Sequence, residues 1–134
     1  DIIINDIKQS NASIGFFPEG CTSEGENVLK FKPALFEAAI KSDAIITPIV
    51  LYYSDISNKH ISPILNYSGD TNFLETVINT LNCQNIILYV FILKTINSNQ
   101  FKNRKDLSNY TFNIINTKYI AEKNLRILRQ NQEL

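Results

Sequence analysis

Two apolar runs of strand length, separated by a segment with helical periodicity, place the strongest constraint on the fold of this chain. The runs are Ala44 to Tyr53 and Ile86 to Leu93, which are too short to cross a bilayer and long enough for buried strands. Between them, after cap residues at Asp70 to Asn72, one helix face is marked by Phe73, Leu74, Val77, Ile78 and Leu81. Strands that alternate with helices predict an α/β fold, a layered sheet flanked by helices. The nearly continuous first run predicts a central strand that is covered on both faces.

The remaining segments add one strand and three helices. Ser13 to Phe17 is predicted as the first strand, ended by Pro18. A short helix is predicted from Pro33, whose missing N–H is harmless in a first turn, through about Lys41. The inner face of this helix is predicted to be Leu35, Phe36, Ala39 and Ile40. Helical spacing also marks both ends of the chain: Ile3, Ile4 and Ile7 within Asp1 to Ser10, and Leu107, Tyr110, Ile114, Ala121, Leu125 and Leu128 in the tail from Arg104.

Charge and cysteine content exclude several classes of protein. Thirteen basic and thirteen acidic side chains give a net charge of zero, so no overall field attracts DNA or RNA and no nucleic-acid partner is expected. Cys21 and Cys83 stand far apart, in neither a metal-binding nor a disulfide-framework pattern. We therefore expect no metal site and a reducing, cytosol-facing compartment.

The size of the chain indicates one domain. Its 134 residues are enough for a single core, and the sequence contains no methionine. Because an initiator is missing, we expect that an upstream part has been removed. The prediction is therefore a single incomplete domain over residues 1–134.

Residues 16 to 25 have the composition of a site for an anionic group. Two aromatic residues run into the turn Pro18-Glu19-Gly20, and Thr22 and Ser23 follow with hydroxyl donors. Gly20 lets the backbone approach a ligand closely, and the N–H groups of such a turn can form an anion-binding concavity. Glu19 repels phosphate, so it either accepts a hydrogen bond from a substrate hydroxyl or braces the loop. The alternative is an ordinary strand-to-loop turn with a solvated acid.

Three neighbouring side chains have two interpretations each. Lys30 and Lys32 either contact a phosphate or only solvate the loop. Cys21 is either a nucleophile that forms an acyl-thioester or a small filler, and no histidine partner is arranged for it by the sequence.

The segment resembles the third conserved motif of the 1-acylglycerol-3-phosphate acyltransferase family, written FPEGT followed by Arg or Thr and Ser. The resemblance continues through Phe31-Lys32-Pro33-Ala34-Leu35-Phe36-Glu37-Ala38-Ala39. It implies a glycerolphosphate-acyltransferase-like fold, and it implies that Glu19 and Gly20 bind the glycerol phosphate of the acceptor. Pro18, Cys21, Thr22 and Ser23 would complete that loop. Cys21 stands where the family usually has Thr, and Thr22 stands where many members have Arg, so phosphate would depend more on backbone and lysine contacts.

Further segments resemble the same family. Ile46-Thr47-Pro48-Ile49-Val50 is similar to its fourth motif, which implies that Pro48 lies near the acyl chain or the acceptor. The alternative for Pro48 is that it interrupts a strand ladder. Asn66-Tyr67-Ser68-Gly69-Asp70 with Phe73-Leu74, and Arg104-Lys105 with Leu107, resemble later parts of the family.

The family's catalytic pair, His-x4-Asp, is missing from this sequence. The one histidine is His60, and the fifth residue after it is Leu65. His60 lies in a polar loop downstream of the motif, whereas the family's pair lies upstream, so we expect an exposed loop residue. The segment is therefore expected to contain no catalytic residue and to supply the acceptor-binding part of an enzyme.

The resemblance implies an enzyme that transfers an acyl group to a lysophospholipid such as 1-acylglycerol-3-phosphate in phospholipid biosynthesis. The donor would be acyl-CoA or acyl-carrier protein, with no bound cofactor, at the cytosolic face of a membrane. Without the histidine, the segment alone is expected to be inactive. The alternatives are a non-catalytic remnant that binds lipid phosphate, and an unrelated α/β domain such as a nucleotide binder, although the chain has no glycine-rich phosphate loop.

Overall fold

The computed structural model describes Ile4, Ile7 and residues 13–23, 25–55, 73–82 and 86–132. Its helices are α1 (Glu37–Ser42), α2 (Phe73–Asn82) and α3 (Arg104–Gln132), with 3₁₀ turns at Pro33–Phe36 and Ser98–Gln100. Its strands are β1 (Ile45–Ile46), β2 (Ile49–Asp55), β3 (Ile86–Ile92) and β4 (Ile96–Asn97). This mixture of helices and small sheets agrees with the predicted α/β class. No described helix is long and apolar enough to span a membrane.

The chain divides into two compact units, each built from three segments. The first unit contains residues 1–20, 30–49 and 92–115, and the second contains residues 21–29, 50–91 and 116–134. In the first unit, β1 pairs with β4 in antiparallel register, Ile45 opposite Asn97 and Ile46 opposite Ile96. A separate two-stranded sheet joins β2 to β3. The described residues therefore form two small sheets instead of the one layered sheet that the sequence predicted.

Aromatic rings build the core of the first unit. Phe36 is almost fully buried, and the ring of Phe31 stacks beside it at a centroid distance of 6.2 Å. Phe112, on α3, meets Phe31 edge to face at 5.5 Å. Below these rings, the Ser98 hydroxyl donates to the Ala39 carbonyl at 2.9 Å, which gives a buried polar group its partner. The 3₁₀ turn and α1 are thereby fixed against the start of α3.

Helix α1 ends at Ser42 and is capped by Asp43, which has a left-handed backbone with φ of 52°. The Asp43 N–H donates to the Ile40 carbonyl and the Ala44 N–H donates to the Ala39 carbonyl, at 3.4 and 3.1 Å. These bonds give main-chain partners to carbonyl groups of the last helical turn. The chain then turns directly into β1.

A buried arginine organises the second unit. Arg126, on α3, is only 4% exposed, and its guanidinium group lies over the rings of Tyr52 at 4.5 Å and Tyr89 at 4.1 Å. Its Nη1 lies 2.7 Å from a carboxylate oxygen of Glu122, one turn earlier on the helix. Tyr119 packs its ring against Tyr52 at 5.5 Å. The charge of the arginine is thus offset by a carboxylate and by two aromatic faces.

The predicted strand Ala44 to Tyr53 is confirmed as strand-forming, but Thr47 and Pro48 divide it between β1 and β2. Proline cannot donate to a ladder, which accounts for the break. The prediction of a strand covered on both faces is wrong for the described residues. Val50 and Tyr52 are buried, whereas Ile49 and Tyr53 are exposed, which is the alternation of a sheet with one covered face.

The prediction of a first strand at Ser13 to Phe17 is also wrong, because these residues pair with no strand in the part of the chain that the structure describes. An isolated extended segment has no ladder to hold it as a strand. The third predicted strand is confirmed as β3.

All the helices predicted within the described ranges are confirmed, but two of the predicted faces are not. On the first helix, Phe36 and Ala39 are buried while Leu35 is exposed. On α3 the predicted stripe is wrong beyond Leu107, since Leu125 and Leu128 are exposed. The face turned inward carries these buried residues instead: Leu107, Ser108, Thr111, Tyr119 and Arg126. The Thr111 hydroxyl bonds the Leu107 carbonyl at 2.8 Å, and such local bonds let polar residues occupy a buried face.

The apolar residues of α2 include three that are exposed: Leu74, Ile78 and Leu81. Ile4 and Ile7 are helical and half-buried, as their spacing predicts. Several predictions lie outside the described residues: the rest of the first ten positions, His60, the segment 66–70, the cap residues 70–72 and Cys83.

Candidate functional site

The Pro18-Glu19-Gly20 segment forms a tight turn in the first unit. The Gly20 N–H donates to the Phe17 carbonyl at 3.1 Å, which closes a four-residue turn with proline in its second place. Asp43 is the only non-glycine residue with positive φ in the described part, so Glu19 has negative φ and a type II turn is excluded. Glu19, at the third place of the turn, is half-buried.

Lys32 fixes this turn with both its main chain and its side chain. The Lys32 N–H donates to the Pro18 carbonyl at 2.8 Å, and Lys32 Nζ donates to the Gly20 carbonyl at 3.2 Å. Gly20 has φ of 67°, and a Cβ atom placed on it would lie 2.8 Å from both Cδ and Nζ of Lys32. The backbone angle favours glycine here, and a larger residue would also require the flexible end of the Lys32 side chain to move aside.

The two phenylalanines before the turn have different environments. Phe16 meets the buried ring of Phe36 edge to face at 5.4 Å, which is a favoured geometry for aromatic pairs. Phe17 is 79% exposed. Phe16 is therefore a structural anchor of the turn, while Phe17 exposes a large apolar surface two residues before Glu19.

Cys21, Thr22 and Ser23 belong to the second unit, where Cys21 and Thr22 are exposed and Ser23 is half-buried. The Ser23 hydroxyl accepts a hydrogen bond from the Gly25 N–H at 3.2 Å, the local turn that serine commonly forms. The Gly25 carbonyl in turn accepts a hydrogen bond from the Tyr119 hydroxyl of α3. Lys123 bonds both the main chain and the carboxylate of Glu26, at 2.8 and 2.7 Å. Helix α3 thus holds the end of this hydroxyl-bearing segment.

Pro48 is buried between β1 and β2, and its carbonyl accepts a hydrogen bond from the Leu93 N–H at 2.9 Å. This geometry is that of a residue which ends one strand ladder and starts another. It fits the alternative that the sequence left open for Pro48, the interruption of a ladder.

An open groove of about 600 Å³ lies along the β1–β4 sheet of the first unit. Ile45, Leu93 and Ile96 give it apolar walls, and Lys94 and Asn97 contribute polar groups. A mixed lining of this kind suits a molecule with both apolar and polar parts. Within the ranges that the structure covers, no cluster of three or more His, Cys, Asp or Glu side chains could hold a metal ion.

The structure thus brings Pro18, Glu19 and Gly20 together with Lys32 in one unit. The sequence did not decide between Lys30 and Lys32, because spacing alone does not show which of the two lysines contacts the turn. Lys30 is exposed and forms no hydrogen bond or ion pair with another described residue. The sequence feature that pointed to this contact was Gly20, because a residue without a side chain leaves space for a neighbouring one.

The turn at Phe17–Gly20 thus carries one carboxylate, that of Glu19, and is contacted by one cation, the ammonium group of Lys32. Residues 2–52 match the family model described as Acyltransferase. The chain is 41% identical over 51 residues to the 1-acyl-sn-glycerol-3-phosphate acyltransferase of Neisseria gonorrhoeae, which is 38% of this chain and 20% of that protein. It is 40% identical over 57 residues to the enzymes of the same name from Salmonella typhimurium and Escherichia coli, which is 42% of this chain and 22% of each.

These matches confirm the resemblance of the N-terminal part of the chain to the acyltransferase family. The aligned stretch spans about a fifth of the length of these relatives. No solved structure shows significant similarity to the chain.

Proposed function

We propose that this chain is the acceptor-binding part of an acyltransferase of phospholipid biosynthesis, with a glycerolphosphate-acyltransferase-like fold. The acceptor is a lysophospholipid such as 1-acylglycerol-3-phosphate, and the donor is acyl-CoA or acyl-carrier protein. The reaction takes place at the cytosolic face of a membrane, where the lipid acceptor resides. The observation that carries the proposal is the turn at Phe17–Gly20, fixed by Lys32 within the residues that match the family.

The reaction sets a clear task for the acceptor-binding part. A hydroxyl of the lysophospholipid loses a proton, its oxygen attacks the thioester carbonyl, and the thiol leaves as the new ester forms. The base for that proton would be the histidine of a His-x4-Asp pair, which residues 1–134 do not contain. The task of this chain is to hold the acceptor so that its hydroxyl lies in reach of the base and the thioester.

The residues of the turn have separate roles in this proposal. Glu19 accepts a hydrogen bond from the glycerol part of the acceptor, since a carboxylate accepts hydrogen bonds from hydroxyls and repels phosphate. Gly20 allows the left-handed backbone of the turn and accepts the Lys32 ammonium group on its carbonyl. Pro18 presets the turn. The resemblance to the family, and not the geometry of the turn, adds Thr22 and Ser23 as hydroxyl donors to the head group. Cys21 stands in this loop as an exposed side chain.

The test is acyl transfer from labelled acyl-CoA to lysophosphatidic acid by the natural gene product that contains this chain. We expect transfer that falls at least tenfold in Glu19→Gln, which keeps the size of the side chain and removes the charge. Glu26→Gln is the matched control, because Glu26 is an exposed acid of the neighbouring loop that bonds Lys123. Equal activity of the wild type and Glu19→Gln would contradict the role of Glu19.

A second candidate is a non-catalytic remnant that binds lipid phosphate. In this candidate the turn at Phe17–Gly20 and the Lys32 side chain bind the phosphate, and no acyl group is transferred. Binding of lysophosphatidic acid without transfer, by a gene product that encodes no His-x4-Asp, would support the remnant over the enzyme.

A further inference from the structure

We propose that Lys32 supplies the positive charge that binds the phosphate of the acceptor. The inference rests on the proposed function for the identity of the ligand and on the geometry of the first unit for the identity of the residue. Thr22 stands where many members of the family have an arginine, so the sequence did not show which cation binds the phosphate. The inference assigns that role to Lys32.

The geometry selects Lys32 among the lysines near the motif. Its aliphatic stem passes over the Cα atom of Gly20, and its Nζ atom lies 3.2 Å from the Gly20 carbonyl oxygen. Its main-chain N–H is held by the Pro18 carbonyl at 2.8 Å, so the base of the side chain is fixed relative to the turn. Lys30 forms no contact of this kind with the described residues.

The ammonium group retains the capacity to bind an anion. It has three N–H donors, and the Gly20 carbonyl is its one hydrogen-bond partner among the described residues. The side chain is exposed, so a phosphate can reach it without a change of fold. The turn also carries the carboxylate of Glu19, which would repel a phosphate bound nearby, and the positive charge of Lys32, which contacts the same turn, offsets that repulsion.

A lysine at this place makes a specific prediction about recognition. An ammonium group acts as a point charge, whereas a guanidinium group binds two phosphate oxygens in a fixed fork. Lys32 therefore discriminates acceptors by the presence of a phosphate. Removal of its charge should weaken binding of phosphate-bearing acceptors and leave phosphate-free acceptors unaffected.

The experiment measures binding of glycerol 3-phosphate and of glycerol by NMR titration, with the natural gene product that contains this chain. We expect the dissociation constant of glycerol 3-phosphate to rise about tenfold in Lys32→Gln, the loss of one charge-assisted hydrogen bond. Lys30→Gln is the matched control and should bind as the wild type does. Lys32→Arg should recover most of the affinity, because the charge is kept. The thermal unfolding midpoint should be the same in all variants, since the main-chain bond from residue 32 to Pro18 remains.

Three results would overturn the inference: no binding of glycerol 3-phosphate by the wild type, equal affinity in Lys32→Gln, or equal losses in Lys32→Gln and Lys32→Arg. The acyl-transfer assay separates this inference from the proposed function. Transfer that depends on Glu19 with no change of acceptor KM in Lys32→Gln refutes the role of Lys32 alone. Binding of glycerol 3-phosphate through Lys32 by a gene product without transfer activity refutes the enzyme and supports the anion site.

Discussion

Arg104 Nη1 lies 3.1 Å from Glu37 Oε2 and joins the first residue of α3 to the first residue of α1, 67 positions earlier in the sequence. The other oxygen of the same carboxylate, Oε1, lies 3.2 Å from Lys41 Nζ, one turn further along α1. One carboxylate therefore serves both a local contact within a helix and a long-range contact between two elements of the first unit.

Because Lys41 and Arg104 share this carboxylate, we predict which of the two has the larger effect on the pKa of Glu37. The hydrogen bond from Lys41 is the main cause that lowers this pKa below 4.5, and the charge of Arg104 adds a smaller contribution. We expect Lys41→Gln to raise the pKa of Glu37 more than Arg104→Gln does. NMR titration of the Glu37 carboxyl carbon measures both shifts, and the reverse order would contradict the geometry.

Arg126 is predicted to be the most sensitive charged residue of the second unit. Its removal in Arg126→Ala leaves the mostly buried Glu122 with only its ion pair to Lys118 among the described residues. It also uncovers the rings of Tyr52 and Tyr89, and we expect a loss of about 3 kcal/mol of unfolding free energy. Arg126→Lys keeps the charge without the planar stacking and should lose a smaller amount. Urea unfolding followed by circular dichroism measures both. The exposed Arg104→Ala is the control, and equal effects at the two positions would refute this role of Arg126.

Acid should weaken the ion pairs of Glu122. Burial raises its pKa, but hydrogen bonds from Lys118 and Arg126, with their charges, lower it by more, so the folded pKa lies below 4.5. A carboxyl group with a lowered folded pKa stabilises the fold above its unfolded pKa, and this contribution is lost as the pH falls through the folded value. The difference in unfolding free energy between the wild type and Glu122→Gln should be largest near pH 7 and should shrink below about pH 4.5. A difference that stays constant down to pH 2 would show that the carboxylate is not stabilised by its partners.

The end of α1 offers a stabilising substitution. Asp43 has positive φ, and its negative charge stands at the C-terminus of the helix, where the helix dipole disfavours an anion. Asp43→Gly removes the steric strain and the charge, so we expect the unfolding free energy to rise by about 0.5–1 kcal/mol. Ser42→Gly, one residue earlier, is the control, because it loses the 2.7 Å bond from the Ser42 hydroxyl to the Ala38 carbonyl. It should destabilise the protein.

Gly20→Ala tests the close passage of Lys32 over the turn. The new Cβ would meet Lys32 Cδ and Nζ at 2.8 Å, and a left-handed backbone costs an alanine about 1 kcal/mol. We expect a modest loss of unfolding free energy and a rise of several-fold in the dissociation constant of glycerol 3-phosphate. Gly15→Ala is the matched control, since no atom lies within 4 Å of a Cβ placed there. Similar results for Gly20→Ala and Gly15→Ala would show that the Lys32 side chain does not depend on the missing side chain at position 20.

Much of the fold could be predicted from the sequence, wherever a pattern extended over several residues. The apolar run that forms β3 and the proline that opens the first 3₁₀ turn were sufficient for these elements. Strand β4 has only two residues, Ile96 and Asn97, and a pair of residues has no periodicity to detect. The inward position of Arg126 was missed because charged residues are normally assigned to the surface, and only the rings of Tyr52 and Tyr89 explain its burial.

The turn of the candidate site was also predicted from its residues, while its cation was not. Pro18 and Gly20 specify a turn by their own backbone preferences. Lys32 contacts the turn where the neighbouring residues Phe16 and Phe31 both pack against the ring of Phe36, which is a tertiary arrangement. A contact between separate segments of the chain cannot be predicted from the residues of either segment alone.

Lys32 contributes to the turn twice, through an amide that every residue except proline possesses and through an amine that few residues possess. A missense change at codon 32 therefore deletes the ammonium group while the amide bond to Pro18 survives. In genetic terms this is a position for separation-of-function alleles, in which a stable, normally abundant protein loses one chemical capacity. We expect changes at codon 32 to leave the protein level unchanged, whereas changes at the buried Phe36 should reduce the amount of protein itself.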